Sequence, residues 1–392
     1  MSAIRPRCAA AAALLAVAAC ASSDSRAYVP DGEALSRSHA TAWTEARIAL
    51  RAGRAGEALK LLEPWLGTEP WHVPTHVLRQ RALLEVSGEE AVRAWYERES
   101  ETSPDDAVRA LLAARTRPRA DRQRAAGYAR ARELDPASPW AAVASATEAL
   151  AQAAEEDAKA TALLDKGFVA DAAAARLAAE RARADAEASA RFATTAAPGL
   201  AAAHATLAEV LLAQRAKTPS LPVDEALSAA TRAAETDPGE PAHQALLARA
   251  LRSAADDRGA AAALERALAL DPRSAELHAG LGRVLLDLGE AQRARRTLDE
   301  AVRLHPDDAD AWLNLAVACD RLADRAQAVA ASERAVRLAP KDPRILEGWA
   351  MILRAAGRPA EAATAMERYL AAGGADREGA RAFLAELREG KP

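Results

Sequence analysis

His72 and His76 stand four residues apart beside Trp71 in a chain of 392 residues. On one helix face that spacing could chelate a metal ion through two imidazole nitrogens. Pro74 lies between them and argues against an unbroken helix through both. No third ligand is placed by spacing, so no metal is expected. Gly280-Leu281-Gly282 opens like a dinucleotide-binding loop, but a third glycine is not in place and helix packing explains the pair. The chain lacks a GxxxxGK phosphate loop, an HExxH pair, an EF-hand loop and a CxxC pair. No nucleophile and base can be named together, so neither catalysis nor a cofactor is expected. An enzymatic reading would need the long 148–180 stretch to supply a site.

Residues 115–132 hold arginines at 115, 117, 119, 122, 124, 130 and 132 against the single acid Asp121. Such a run could meet an acidic partner or anionic headgroups. Its spacing does not keep the arginines on one helical face, which suits a solvated helix and loop. Six lysines among 52 basic residues leave the rest arginine. That bias, with the abundant alanine, is what a GC-rich genome produces, so a single arginine says little.

What must position any site is a set of helices. Half the residues are hydrophobic and 4% aromatic, with alanine and leucine dominant. Both are strong helix formers, while strand-favouring residues are sparse. The start, MSAIRPRCAAAAALLAVAACASSDS, has Arg5 and Arg7 and then an apolar run closed by Cys20. This has the layout of an export signal and is too short to span a bilayer. Val17-Ala18-Ala19-Cys20 resembles a bacterial lipobox, where cleavage precedes a lipid-modified cysteine. An ordinary cleaved signal is the alternative. The lipobox implies lipidation of Cys20, and Ala21-Ser22 after it implies the outer membrane in enterobacterial-type sorting. Removal of Arg5 and Arg7 moves the formal charge from −4 to −6. An acidic exported chain is a poor nucleic-acid binder. With Cys8 gone and Cys20 acylated, Cys319 has no disulfide partner.

Pro238, Pro272, Pro306 and Pro340 are spaced 34 residues apart. They divide the chain into blocks 241–274, 275–308, 309–342 and 343–376. In block 309–342, Trp312, Leu315, Ala316, Ala328, Ala335 and Pro340 take positions 4, 7, 8, 20, 27 and 32. In block 275–308 the same places hold His278, Leu281, Gly282, Ala294, Ala301 and Pro306. This resembles the tetratricopeptide repeat (TPR), whose pattern has this period. The resemblance implies an all-α, right-handed superhelical solenoid of about eight or nine helix pairs. Small residues at positions 8, 20 and 27 would let the helices approach, and stacked pairs would bury what one pair cannot. Cys319 takes the tyrosine slot and His204 and His278 take position 4, where packed core side chains are expected.

The expected organisation is a signal over 1–19, a lipidated tether over 20–38 and degenerate repeats over 39–136. Repeats with helical insertions follow over 137–240, four regular repeats over 241–376 and a capping helix over 377–392. Its stripe of Ala380, Phe383, Leu384 and Leu387 suits a cap with a polar outer face. The TPR resemblance further implies that positions 2, 5, 9, 12 and 13 of each first helix line a concave groove. Those places give Arg249, Arg252, Glu276, Arg283, Asp310, Asp320, Arg321, Arg344, Glu347 and Arg354. Mixed charge beside Ala245 and Ala279 suits an extended peptide or a partner helix. The function implied is a membrane-anchored scaffold that binds proteins in the bacterial envelope and assists assembly of an envelope, secretion or pilus-type complex. The alternatives are an adaptor for an envelope protease or wall enzyme, and a binder of an exported polymer. Oligomeric state is not readable.

Overall fold

A computed structural model describes residues 37–68, 72–119, 121–374 and 377–388. Cys20, the signal expected over 1–19 and the expected tether up to residue 36 lie outside the described residues. Every regular element among the described residues is a helix, and none is long and apolar enough to cross a membrane. The chain forms two compact units, one ending at Pro238 and the other starting at Gly239.

The first unit runs α1 (Arg37–Arg51), α2 (Ala55–Thr68), α3 (Val73–Thr102), α4 (Ala107–Arg115), α5 (Arg122–Leu134), α6 (Pro139–Asp165), α7 (Val169–Ala196), α8 (Ala201–Lys217) and α9 (Asp224–Thr236). Consecutive helices pack as antiparallel hairpins, and α6 also touches α8, as the first helices of neighbouring hairpins should. α3 is a hairpin in disguise. Gly88 takes φ 76° and breaks it into two arms, a conformation nearly free only for glycine. The stretch 137–200 forms the two long helices α6 and α7. On α7 the buried residues Ala172, Ala175, Ala179, Ala182, Ala186, Ser189 and Ala193 recur at alternating three- and four-residue steps. That is a heptad seam in small side chains, which lets two helices lie close along their length. Asp157 on α6 clamps the seam's edge, pairing with Arg183 at 2.9 Å and with Lys217 of α8 at 3.0 Å. The two ends of the unit also meet, because Arg47 of α1 pairs with Asp237 after α9 at 3.1 Å.

The second unit runs α10 (Pro241–Ser253), α11 (Asp257–Leu270), α12 (Ala275–Asp287), α13 (Ala291–Leu304), α14 (Ala309–Arg321), α15 (Arg325–Leu338), α16 (Pro343–Ala355), α17 (Pro359–Ala371) and α18 (Arg377–Arg388). First helices α12, α14 and α16 touch in series. Ser274, Asp308 and Asp342 each precede one of them and accept from its exposed backbone N–H groups. Each such cap contributes about 1 kcal/mol. The small residues at positions 8, 20 and 27 are buried between the arms, among them Ala294, Ala301, Ala316, Ala328 and Ala335.

Position 15 of every regular block turns the chain with positive φ. Gly289 and Gly357 do this at 79° and 74°, but Ala255 and Ala323 are both held at 60°. A Cβ in that region costs about 1–2 kcal/mol, against a somewhat smaller entropic penalty for glycine in the unfolded chain. Ala323→Gly should therefore raise stability by about 0.5 kcal/mol and Gly289→Ala lower it by about 1 kcal/mol. Denaturant midpoints moving in those opposite senses would bear this out, and equal shifts would not.

The links carry a bond of their own. The ring nitrogen of Trp312 donates to the carbonyl of Pro306 at 2.9 Å. His204 and His278 meet the carbonyls of Pro198 and Pro272 in the same way, at 2.8 and 3.1 Å. A carbonyl only accepts, so Nε2 carries the proton in both histidines. These histidines are half-buried link clamps, not the packed core residues expected from their slot. Position 4 thus accommodates a ring N–H at that height, which tryptophan and histidine both supply, while Gln244 and Leu346 fill the same slot as buried side chains in the other two regular blocks.

Candidate functional site

The first helices of the second unit present one continuous face, and its charges identify it. Arg252 on α10 pairs with Asp287 at the end of α12 at 3.0 Å. Arg321 on α14 donates to the Leu286 carbonyl on α12. Arg344 on α16 pairs with Asp310 on α14 at 3.4 Å and with its own cap Asp342 at 3.0 Å. The Asp342 hydrogen bond and the Asp310 charge hold the Arg344 guanidinium above its usual proton affinity. Arg354 on α16 reaches Glu386 of α18 at 3.8 Å and covers the Phe383 ring at 4.6 Å. Asp320 is engaged by Arg325 in the following turn. Each cross-helix pair joins neighbouring first helices, so these side chains share one surface.

Four predicted residues stay out of this ladder. Arg249, Glu276 and Arg283 are exposed and Glu347 is half-buried. No ion pair or hydrogen bond joins any of them among the described residues. Exposed pairs contribute little stability, so the ladder's main effect is to occupy its charges. Arg249 and Arg283 keep their full donor sets for something else.

Three apolar side chains on the same face were missed. Leu313, Val317 and Met351 occupy positions 5, 9 and 9, and Met351 is 52% exposed. Leu313 lies across the α14–α16 boundary, where a Cβ on Gly348 would come within 2.7 Å of its Cδ1. The 34-residue period could have found them, since they fall in the same slots as Ala245, Arg249, Ala279 and Arg283. Position 9 therefore runs Arg249, Arg283, Val317, Met351: basic at one end of the face and apolar at the other.

The remaining candidates resolve locally. His76 is buried and its Nδ1 shares a hydrogen bond with the Tyr96 hydroxyl at 2.9 Å, while His72 meets the Thr75 hydroxyl at 2.8 Å. Among the described residues no three His, Cys, Asp or Glu side chains converge as a metal site. Cys319 is buried and its thiol is pushed up by that burial, which removes the thiolate that reactivity needs. In the arginine-rich run, Arg117 pairs with Glu97 at 2.7 Å and with Asp121 at 2.9 Å. Arg124 pairs with Glu148 at 3.0 Å, and Arg130 with Asp105 at 3.3 Å.

The tetratricopeptide repeat family model matches residues 256–319 and 285–352, which lie within the regular blocks of the second unit. No curated protein sequence matches the chain. Solved structures it is similar to include MamA, at 21% identity over 44% of this chain and 93% of that one, with a TM-score of 0.37. Another is pilF of Pseudomonas aeruginosa, at 22% over 48% and 88%, with 0.40. A third is the Cut9–Hcn1 hetero-tetramer of the APC/C, at 16% over 90% and 84%, with 0.46.

Proposed function

We propose that this chain is a TPR scaffold that holds a protein partner on the first-helix face of its second unit. A lipid on Cys20 would tether it in the bacterial envelope, where it would assist assembly of a multi-protein complex. The carrying observation is the division of labour on that face. Arg252, Asp310, Arg344 and Arg354 are neutralised by opposite charges on neighbouring helices, while Arg249 and Arg283 stand exposed at equivalent positions with no acid partner. Beyond them the same row turns apolar at Val317 and Met351. A partner segment with carboxylates toward one end and apolar side chains toward the other fits that gradient. Free guanidinium groups bind carboxylates bidentately, and the apolar row supplies burial where the charges stop.

The test is crosslinking from native membranes followed by pull-down, comparing wild type with Arg249→Glu/Arg283→Glu. Both residues are exposed and unpaired, so folding should be unchanged by circular dichroism. Recovery of a discrete protein should fall at least about tenfold, as expected when opposed charges at a contact become alike. Undiminished recovery would remove this face from the binding surface. A companion Cys20→Ser chain, followed by fractionation, tests the tether: loss from the membrane fraction is expected.

A further inference from the structure

The long hairpin of the first unit leaves one side of α7 without cover. α6 and α7 are 27 and 28 residues long, against 13 each for α5 and α9. Their facing sides meet along the small-residue seam. Away from the seam, Val169, Ala173, Leu177, Ala184, Ala188 and Phe192 recur at steps of four, four, seven, four and four, and every one is exposed. At about 3.6 residues per turn these steps keep all six on one side of the helix, opposite Ala175, Ala182 and Ala186 of the seam. Val169 and Leu177 are 67% and 48% open to solvent. Phe192 keeps 37% although the Arg132 guanidinium of α5 lies 5.9 Å from its ring. The stripe runs for about 35 Å. A continuous apolar line of that length marks an interaction site, where single exposed side chains would not.

Two charges interrupt the stripe, and they sit at its midpoint. Glu180 and Arg181 are exposed, and no ion pair or side-chain hydrogen bond joins either of them among the described residues. Adjacent residues on a helix do not face each other, so the two cannot satisfy one another. About that midpoint the order of the stripe is palindromic in character. Reversing the helix there sets Val169 against Phe192, Ala173 against Ala188, Leu177 against Ala184 and Glu180 against Arg181. Apolar meets apolar along the whole line, and each charge meets its opposite.

We propose that this face of α7 pairs with the same face of a second copy, antiparallel about a twofold axis between Glu180 and Arg181. A twofold interface must be self-complementary, with residue i meeting j and j meeting i, and this face is. A lipid surface or a helix of another protein would take an apolar stripe in any order. Neither would need the two central charges to be opposite and adjacent. The alanines let the helices come close, and Leu177 of each copy lies over Ala184 of the other. Glu180 of each copy pairs with Arg181 of the other, so the charges within the stripe are neutralised across the axis. The pairing does not depend on the partner face of the second unit. It would double that face in the assembly, and two linked binding faces hold a paired partner more tightly than one.

The experiment follows the mass of the full chain by sedimentation velocity as its concentration is raised, with Cys8→Ser/Cys20→Ser so that neither an acyl chain nor a leader thiol joins copies. This parent chain should pass from monomer to dimer. Glu180→Arg sets guanidinium groups against guanidinium groups across the axis and should weaken the dimer about ten- to a hundredfold. Glu180 is exposed, so circular dichroism should be unchanged. Glu180→Arg/Arg181→Glu restores opposite charges in exchanged places and should recover the dimer, which repair of a folding defect would not explain. Crosslinking reads the register. Ala173→Cys mixed with Ala188→Cys should form a disulfide-linked dimer on oxidation. Neither variant alone should, because identical positions lie about 20 Å apart along the antiparallel pair. A parent chain that is monomeric at every concentration would overturn the proposal, and so would a Glu180→Arg dimer as tight as the parent. Failure of the exchanged variant to recover, or equal crosslinking of Ala173→Cys with itself, would do the same. A monomer that sediments with phosphatidylglycerol vesicles and loses this with Leu177→Asp would give the stripe to a membrane instead.

Discussion

Gly282→Ala should destabilise the second unit, and Leu298→Ala should partly rescue it. A Cβ at Gly282 would stand 2.4 Å from Cγ and 2.7 Å from Cδ2 of Leu298 across the α12–α13 hairpin. Leu298 is fully buried, so it has no solvent to swing into and the two arms must part. Overpacking of this kind costs about 1–3 kcal/mol, offset by up to about 1 kcal/mol from alanine's better helix propensity. Leu298→Ala alone removes a buried side chain and should cost about 2–5 kcal/mol. With alanine at 298, the atoms that collide with the new Cβ are gone. The double variant should then be more stable than the two single losses imply, with a coupling of about 1 kcal/mol or more. Urea unfolding of all four chains measures the cycle. Strict additivity would mean that the close approach at position 8 does not limit the hairpin.

That glycine shows how far a repeat can be read from its letters. The period of prolines located the hairpins of the second unit because proline cannot continue a helix, and α11, α13 and α15 each end just before one. The small residues at positions 8, 20 and 27 were legible for the same reason: only close packing demands them at fixed intervals. In the first unit the signal weakened where the hairpin changed form. Gly88 kinks α3 into two arms without any proline, and the buried seam of α7 is built from small side chains alone. At the candidate site, the slots were legible and the partnerships were not. Whether Arg252 is free depends on Asp287 in the next repeat, and whether Arg344 is free depends on Asp310 in the previous one.

The cap and the groove face share a residue, which gives the second large prediction. Ala380, Leu384 and Leu387 of α18 are buried, and the helix packs on α17. Its Phe383 and Glu386 reach back to Arg354, the last arginine of the groove face. Leu384→Ala should cost about 2–3 kcal/mol, the lower end for a buried leucine because the array's end can relax. Leu384→Asp should go further and undock the helix, since a lone carboxylate cannot be buried without a partner. The apolar side of α17 would then face water, and terminal repeats without a polar outer face are poorly soluble. Light scattering should show concentration-dependent association of Leu384→Asp but not of Leu384→Ala. Arg354→Ala separates the two roles. It leaves the buried leucines in place, so it should keep the chain monodisperse with a stability loss below about 1 kcal/mol, as exposed ion pairs contribute. If Leu384→Asp stays monodisperse with an unchanged midpoint, α18 does not close the array. If Arg354→Ala aggregates as well, the arginine stack on Phe383 holds the cap in place, and that arginine is committed to stability and unavailable to a partner.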